Sequence, residues 1–176
     1  MKNALRFSCL ASALLLFTLA ATAQSQPAPP TAPPPPPVPR AILNAKTIFI
    51  SNAGSDSGLF PHPFSGDPDR PYVEFYEAVE DWHHYQLVAD PAQADLVFEL
   101  RLTAPNGPQS PNKATGASDP LPMLRLVIYD RATHYVLWAL TESIAAADLQ
   151  KNHDRNFDTA LATIADDLKR LSQPAP

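Results

Sequence analysis

Histidine is the residue type here best suited to general-base or metal chemistry, because a neutral imidazole both takes up a proton near neutral pH and ligates metals. The chain has five: His62, His83, His84, His134 and His153. His83 and His84 are neighbours in a segment of helical pattern, about 100° apart, so both cannot face one site. Glu80 or Asp81 shares a face with His84 and could hold a surface ion weakly. A catalytic metal usually takes three protein ligands, and no third is indicated. His62 falls in a proline-rich stretch and His153 at a predicted helix start. His134 sits in a hairpin turn, at a position of expected left-handed backbone that His tolerates better than most residues. Ser51, Ser55 and Ser57 lie beside Gly54 and Gly58, but no Lys-Ser/Thr follows and no helix starts there. A phosphate cradle is therefore not spelled out, and turn hydrogen bonding accounts for these residues. No cofactor or metal signature emerges. An enzyme reading, a small hydrolase or metal-dependent enzyme, would place its site where loop 53–70 meets His83 or His84.

The amino terminus has the grammar of a secretory signal peptide. Lys2 and Arg6 precede an apolar run, Leu10–Leu19, and Ala21-Thr22-Ala23 supplies the small residues of a cleavage site after Ala23. The apolar stretch Ser8–Ala23 is short of the roughly 20 residues a membrane span needs. No transmembrane span is expected after processing. Cys9, the only cysteine, precedes most of the apolar run and follows Arg6-Phe7-Ser8, so it forms no lipobox. With the leader removed, the protein has no disulfide, thiol nucleophile or thiolate metal site, although its compartment permits disulfides. The formal net charge is −5 and falls further once Lys2 and Arg6 leave. An acidic protein without a basic stripe is not built for nucleic acid or anionic membrane.

Residues 24–40 hold nine prolines and almost nothing that could build a core. They read as a disordered polyproline arm of roughly 50 Å at about 3.1 Å per residue. The arm is a passive linker, a spacer, or a ligand for a proline-binding partner. Residues 41–172 suit a single domain, and 173–176 form a tail.

Within that domain the strands announce themselves by alternation. Thr47–Asn52 is a short strand, 53–70 a loop, and Pro71–Gln86 a helix with a stripe of Tyr72, Phe75, Tyr76, Val79 and Trp82 or His83. Leu87–Ala89 is a brief strand, and Asp90 caps a single helical turn begun by Pro91. Asp95–Thr103 alternates cleanly, with Leu96, Phe98, Leu100 and Leu102 inward. Residues 104–121 read as a long loop with four prolines and two glycines. Leu124–Ile144 is a hairpin in which Leu124, Leu126 and Ile128 share a face with Val136, Trp138, Leu140 and Ile144, provided that three residues form its loop. The last helix, capped by Asn152 or Asp154, buries Phe157, Leu161, Ile164, Leu168 and Leu171. The order β-α-β-β-β-β-α predicts an α+β two-layer sandwich: a four- to five-stranded, largely antiparallel sheet with two helices on one face.

The other face carries Val97, Val127, Tyr129, Tyr135 and Leu137 beside Glu99, Arg101 and Arg125. That is more apolar than a solvated face requires. These five apolar residues are a candidate partner surface, unless 41–46 or the long loop covers them.

Two stretches resemble a family pattern. Tyr85–Phe98 (YQLVADPAQADLVF) places an Asp-Pro turn and an Ala-Asp pair before a strand. Ile128–Trp138 (IYDRATHYVLW) is similar to an Asp-x-x-Thr-Gly-x-x-Leu-Trp hairpin, with His134 where Gly is common. Together they resemble the small α/β domains of bacterial cell-envelope proteins, among them uncharacterised periplasmic lipoproteins, the curli-secretion lipoprotein and the amino-terminal domain of TolB. The resemblance implies a non-catalytic envelope module and transfers no catalytic residue. The expected function is thus a periplasmic or secreted binding or assembly module. It would use the open sheet face or the 104–121 loop, with another envelope protein as partner. A structural spacer carried on the proline arm is the remaining alternative.

Overall fold

Alternating burial is what makes each strand, and it is clearest in the middle of the sheet. In the computed structural model, which describes residues 36–109, 118–120 and 122–173, strand β3 (Leu96–Thr103) buries Leu96, Phe98, Leu100 and Leu102. The expected leader 1–23, most of the proline arm, 110–117, Leu121 and the last three residues lie outside the described residues. Two strands flank β3. Strand β1 (Thr47–Ser55) runs parallel to it, with Ile48 opposite Leu96 and Ile50 opposite Phe98. Strand β6 (Met123–Asp130) runs antiparallel, with Leu126 opposite Leu100. Strand β2 (Gln86–Leu87) adds to the outer side of β1 and β7 (Val136–Ser143) to the outer side of β6, giving the order β2-β1-β3-β6-β7.

The fold is the expected α+β sandwich with a five-stranded sheet, but the sheet is mixed rather than largely antiparallel. Both neighbours of β1 are parallel to it. The reason is the crossover: helix α2 (Arg70–Trp82) carries the chain back so that β2 and β3 each restart in the direction of β1.

Helices α2 and α3 (Gln150–Leu171) close one face. Phe75 and Val79 of α2 are buried with the full predicted stripe of α3, from Phe157 to Leu171. Helix α2 stops sooner than predicted because His83 turns left-handed (φ 56°) and returns its N–H to the Glu80 carbonyl. Helix α3 starts earlier than predicted. Neither Asn152 nor Asp154 caps it, and the N-cap position is Leu149. A short helix before β1, α1 (Arg40–Asn44), was not foreseen; its Ile42 enters the core. Asp90 caps its single turn as read, accepting the Ala92 N–H at 2.9 Å.

Two further expectations change. Residues 104–121 are not all loop: β4 (Asn106–Gln109) and β5 (Ser118–Pro120) pair antiparallel. They form a two-stranded sheet of their own beyond Thr103 and Met123, the last pair of the β3–β6 ladder, so the connection begins as a hairpin.

The hairpin loop also differs. Asp130 donates its N–H to the Tyr135 carbonyl, so four residues, Arg131–His134, close the turn, with His134 left-handed at φ 60°. Four residues instead of three put Tyr129 opposite Val136, an even residue against an odd one. A bulge at Leu137 then restores parity, so that Ile128 faces Trp138 and Leu126 faces Leu140. Trp138 and Leu140 therefore pack on the core as predicted. Val136 does not: it is 55% exposed.

Candidate functional site

The sheet face opposite α2 and α3 is built by register. Reading across the strands, one row is Phe49, Val97, Tyr129 and Val136; the next is Ser51, Glu99, Val127 and Ala139. A third row brings Arg101 opposite Arg125 and Thr141. Like charges opposite each other on a sheet repel, and Asp56 relieves Arg101 with a 2.9 Å ion pair. The Asp56 carboxyl also accepts from the Ala104 N–H and Thr103 hydroxyl. Those bonds, the Ala104 N–H foremost, hold it below the usual carboxylate range. The first row is thus an apolar strip and the third a basic margin.

Of the five residues read from the sequence as a partner surface, three stand together on this face. Val97 and Tyr129 are half-buried in the first row, and Val127 is 3% exposed in the second. Tyr135 is 73% exposed at the hairpin turn, beside the end of the first row. Leu137 is the bulged residue and packs against the core cluster. Val136 takes the place on the strip that alternation assigned to Leu137. Phe49, on β1, was missed because one aromatic residue in a short strand carries no sign of which neighbours it meets.

The residues of the enzyme reading are not brought together. Loop 56–69 lies at the amino end of α2, whereas His83 and His84 follow its carboxyl end. Thirteen helical residues separate the two by about 20 Å at 1.5 Å per residue. The loop is tied down. Leu59 and Phe64 are buried, and Phe64 packs on Phe157 at 5.5 Å between ring centres. Asp154 of α3 accepts the Ser65 N–H at 2.8 Å and Arg70 Nη1 at 2.9 Å. Arg70 also reaches Glu74 and Asp158 and lies 4.5 Å from the centre of the Phe157 ring. Burial opposes the Arg70 charge, but its carboxylate partners outweigh that effect and raise its pKa.

At the other end of α2, His84 stacks on Trp82 with ring centres 4.5 Å apart, and His83 Nδ1 sits 2.6 Å from the Asp81 carbonyl. Lys46, Tyr76, Glu80 and Gln86 line a shallow groove beside these histidines. Among the described residues, no group of three His, Cys, Asp or Glu side chains could hold a metal.

A two-layer α+β domain whose helices, among the described residues, pack on one face of the sheet is therefore the class that the geometry defines. No family model matches the chain, and no curated protein matches it. Solved structures of low identity do. A PelC dodecamer from Paraburkholderia phytofirmans is 12% identical over 73% of this chain and 89% of that one, with a TM-score of 0.45. Protein XCC0632 from Xanthomonas campestris is 13% identical over 73% and 82%, with a TM-score of 0.43. Uncharacterised lipoprotein B from Nitrosomonas europaea is 10% identical over 74% and 83%, with a TM-score of 0.36. These are bacterial proteins of small α/β type, as are those that the two sequence motifs resemble.

Proposed function

We propose that this chain is a non-catalytic, extracytoplasmic module of the bacterial cell envelope that docks another envelope protein on its open sheet face. The observation that carries the reading is the strip Phe49–Val97–Tyr129–Val136, four apolar side chains in register across four strands with no helix over them among the described residues. Val136 is exposed and Phe49, Val97 and Tyr129 are half-buried; contiguous apolar surface that keeps part of its area in solvent marks interaction sites. The separation of loop 56–69 from His83 and His84 supports a binding role over the hydrolase or metal-enzyme reading. The leader-like residues 1–23 support export, with Gln24 as the mature amino terminus.

Crosslinking in living cells followed by mass spectrometry tests both parts. Tyr129→Ala combined with Val136→Ala, with Tyr135→Ala as a further variant, should fold as wild type and lose a crosslinked envelope protein. Recovery of the same set of proteins from the folded variants would sink the docking role. A mature protein that retains residues 1–23 would sink the export route as stated.

A further inference from the structure

The outer edge of β7 is a second surface, separate from the open face. Strand β7 ends the sheet, so β6 engages one side of its backbone and the outward N–H and C=O groups of Val136–Ser143 have no neighbouring strand among the described residues. Natural edges are usually guarded by Lys, Pro or very short strands. This one has no Pro, Lys or Arg, and a single charge, Glu142. Its bulge is at Leu137, which leaves Trp138–Ser143 regular. The opposite edge, β2, is two residues long and offers almost nothing to pair with.

We infer that β7 pairs antiparallel with β7 of a second copy of this chain, about a two-fold axis at Leu140, and that Trp138 of each copy enters a groove between β7 and α3 of the other. A two-fold axis normal to the sheet keeps helix sides together and open sides together, so only residues of one face can meet. With Leu140 on the axis, the helix-side pairs are Leu140 with Leu140 and Trp138 with Glu142. The open-side pair is Ala139 with Thr141.

At Glu142 the helix side is not filled. A groove of about 180 Å³ lies there, lined by Glu142, Ser143, Ala145, Asn156, Thr159 and Ala160. Directly opposed side chains in an antiparallel pair start about 5 Å apart at Cβ, so the Trp138 of the second copy arrives at its mouth. Alanine and threonine walls suit an indole ring, and the Glu142 carboxylate can accept the indole N–H. Trp138 is itself only half-buried in its own chain. The two Glu142 side chains, each four residues from the other's register position, stay about 13 Å apart at roughly 3.3 Å per residue, beyond the screening length of about 8 Å. Moving the axis to Ala139 would set Trp138 against Leu140 and leave the groove empty.

Other occupants fit less well. Nine residues of the proline arm 24–40 are proline and have no N–H to donate to an edge strand. Joining β7 to β2 would be head-to-tail, with two residues on one side of the contact. The β7–β7 arrangement is self-complementary and closed, and it uses both grooves.

Sedimentation equilibrium on protein purified from cells expressing the full chain tests this. Ala139→Lys with Thr141→Lys places Lys against Lys at both open-side pairs, and Ala139→Lys with Thr141→Glu places Lys against Glu at the same two positions. Both residues are exposed, and circular dichroism checks that each variant folds. Wild type and the Lys/Glu variant should be dimers, with the Lys/Lys variant at least about tenfold weaker. A wild type that is monomeric at every concentration, or a Lys/Lys variant that dimerises as wild type does, overturns the pairing. Trp138→Leu should also weaken the dimer, and a folded Trp138→Leu protein with wild-type affinity overturns the groove assignment. Loss of the open-face partner would leave these measurements unchanged, so the two readings fail separately.

Discussion

Replacing Asp154 with alanine asks whether loop 56–69 is fixed scaffold or a detachable segment. Asp154 Oδ1 is shared by the Ser65 N–H and Arg70 Nη1, joining the loop and the start of α2 to α3. Truncation leaves a part-buried backbone N–H without its acceptor, which costs about 1–3 kcal/mol. The loss at Arg70 is smaller, about 1 kcal/mol, because Glu74 and Asp158 remain beside the guanidinium. The two effects share one oxygen and do not simply add, so the expected total is about 2–3 kcal/mol. For a domain of this size that corresponds to roughly 10 °C in Tm. Asp154→Asn keeps an oxygen for the Ser65 N–H and should lose about half as much. The pH dependence has a definite sign. Burial pushes the Asp154 carboxyl up, but the bonds from Ser65 and Arg70 outweigh it and hold the folded-state pKa below its ordinary value. A depressed carboxylate stabilises above its unfolded pKa, near 3.9, and that contribution is lost as pH falls through the folded value. The gap between wild type and Asp154→Ala should therefore be full at neutral pH and shrink below about pH 4. Urea denaturation followed by circular dichroism, at about pH 7 and about pH 3, measures both. If Asp154→Ala stays within about 0.5 kcal/mol of wild type at neutral pH, the loop is not clamped and the site reading of 53–70 reopens.

Two other substitutions probe the same scaffold. Phe64→Ala, which empties a fully buried ring site against Phe157, should cost about 3–5 kcal/mol. Exposed His62→Ala, two residues away, should change stability by less than about 0.5 kcal/mol. Equal effects in chemical denaturation would contradict the buried role of the loop. At the hairpin, His134 is left-handed at φ 60°, so His134→Gly should be neutral or stabilising by up to about 1 kcal/mol. His134→Val should cost about 1–2 kcal/mol, and the reverse order of melting temperatures would refute the turn geometry.

What the sequence made legible is what depends on local alternation. The inward set of β3, the stripe from Phe157 to Leu171, the Asp90 turn and the left-handed His134 all follow from neighbours a few residues apart. Asp154 shows the limit. An aspartate near a helix start reads as a cap, yet its partners arrive from Ser65 and Arg70, 89 and 84 positions away. Nothing in the spacing of 150–160 encodes that arrival. The mixed sheet is hidden for the same reason, since strand direction is set by where α2 returns the chain.

The hairpin joins the legible and the hidden in one element. Alternation predicts that Trp138 and Leu140 face the core, and they do, although the three-residue loop assumed for that register is absent. The four-residue turn inverts parity and the bulge at Leu137 inverts it back, two errors of sign that cancel before Trp138. Between them lies Val136, which pure alternation places on the core side, and it completes the apolar strip beside Tyr129. Beyond the bulge the strand is regular, unguarded and at the edge. The departure from ideal pairing therefore separates two surfaces on one strand: a face whose apolar side chains the proposed docking uses, and an edge whose backbone the proposed pairing with a second copy uses.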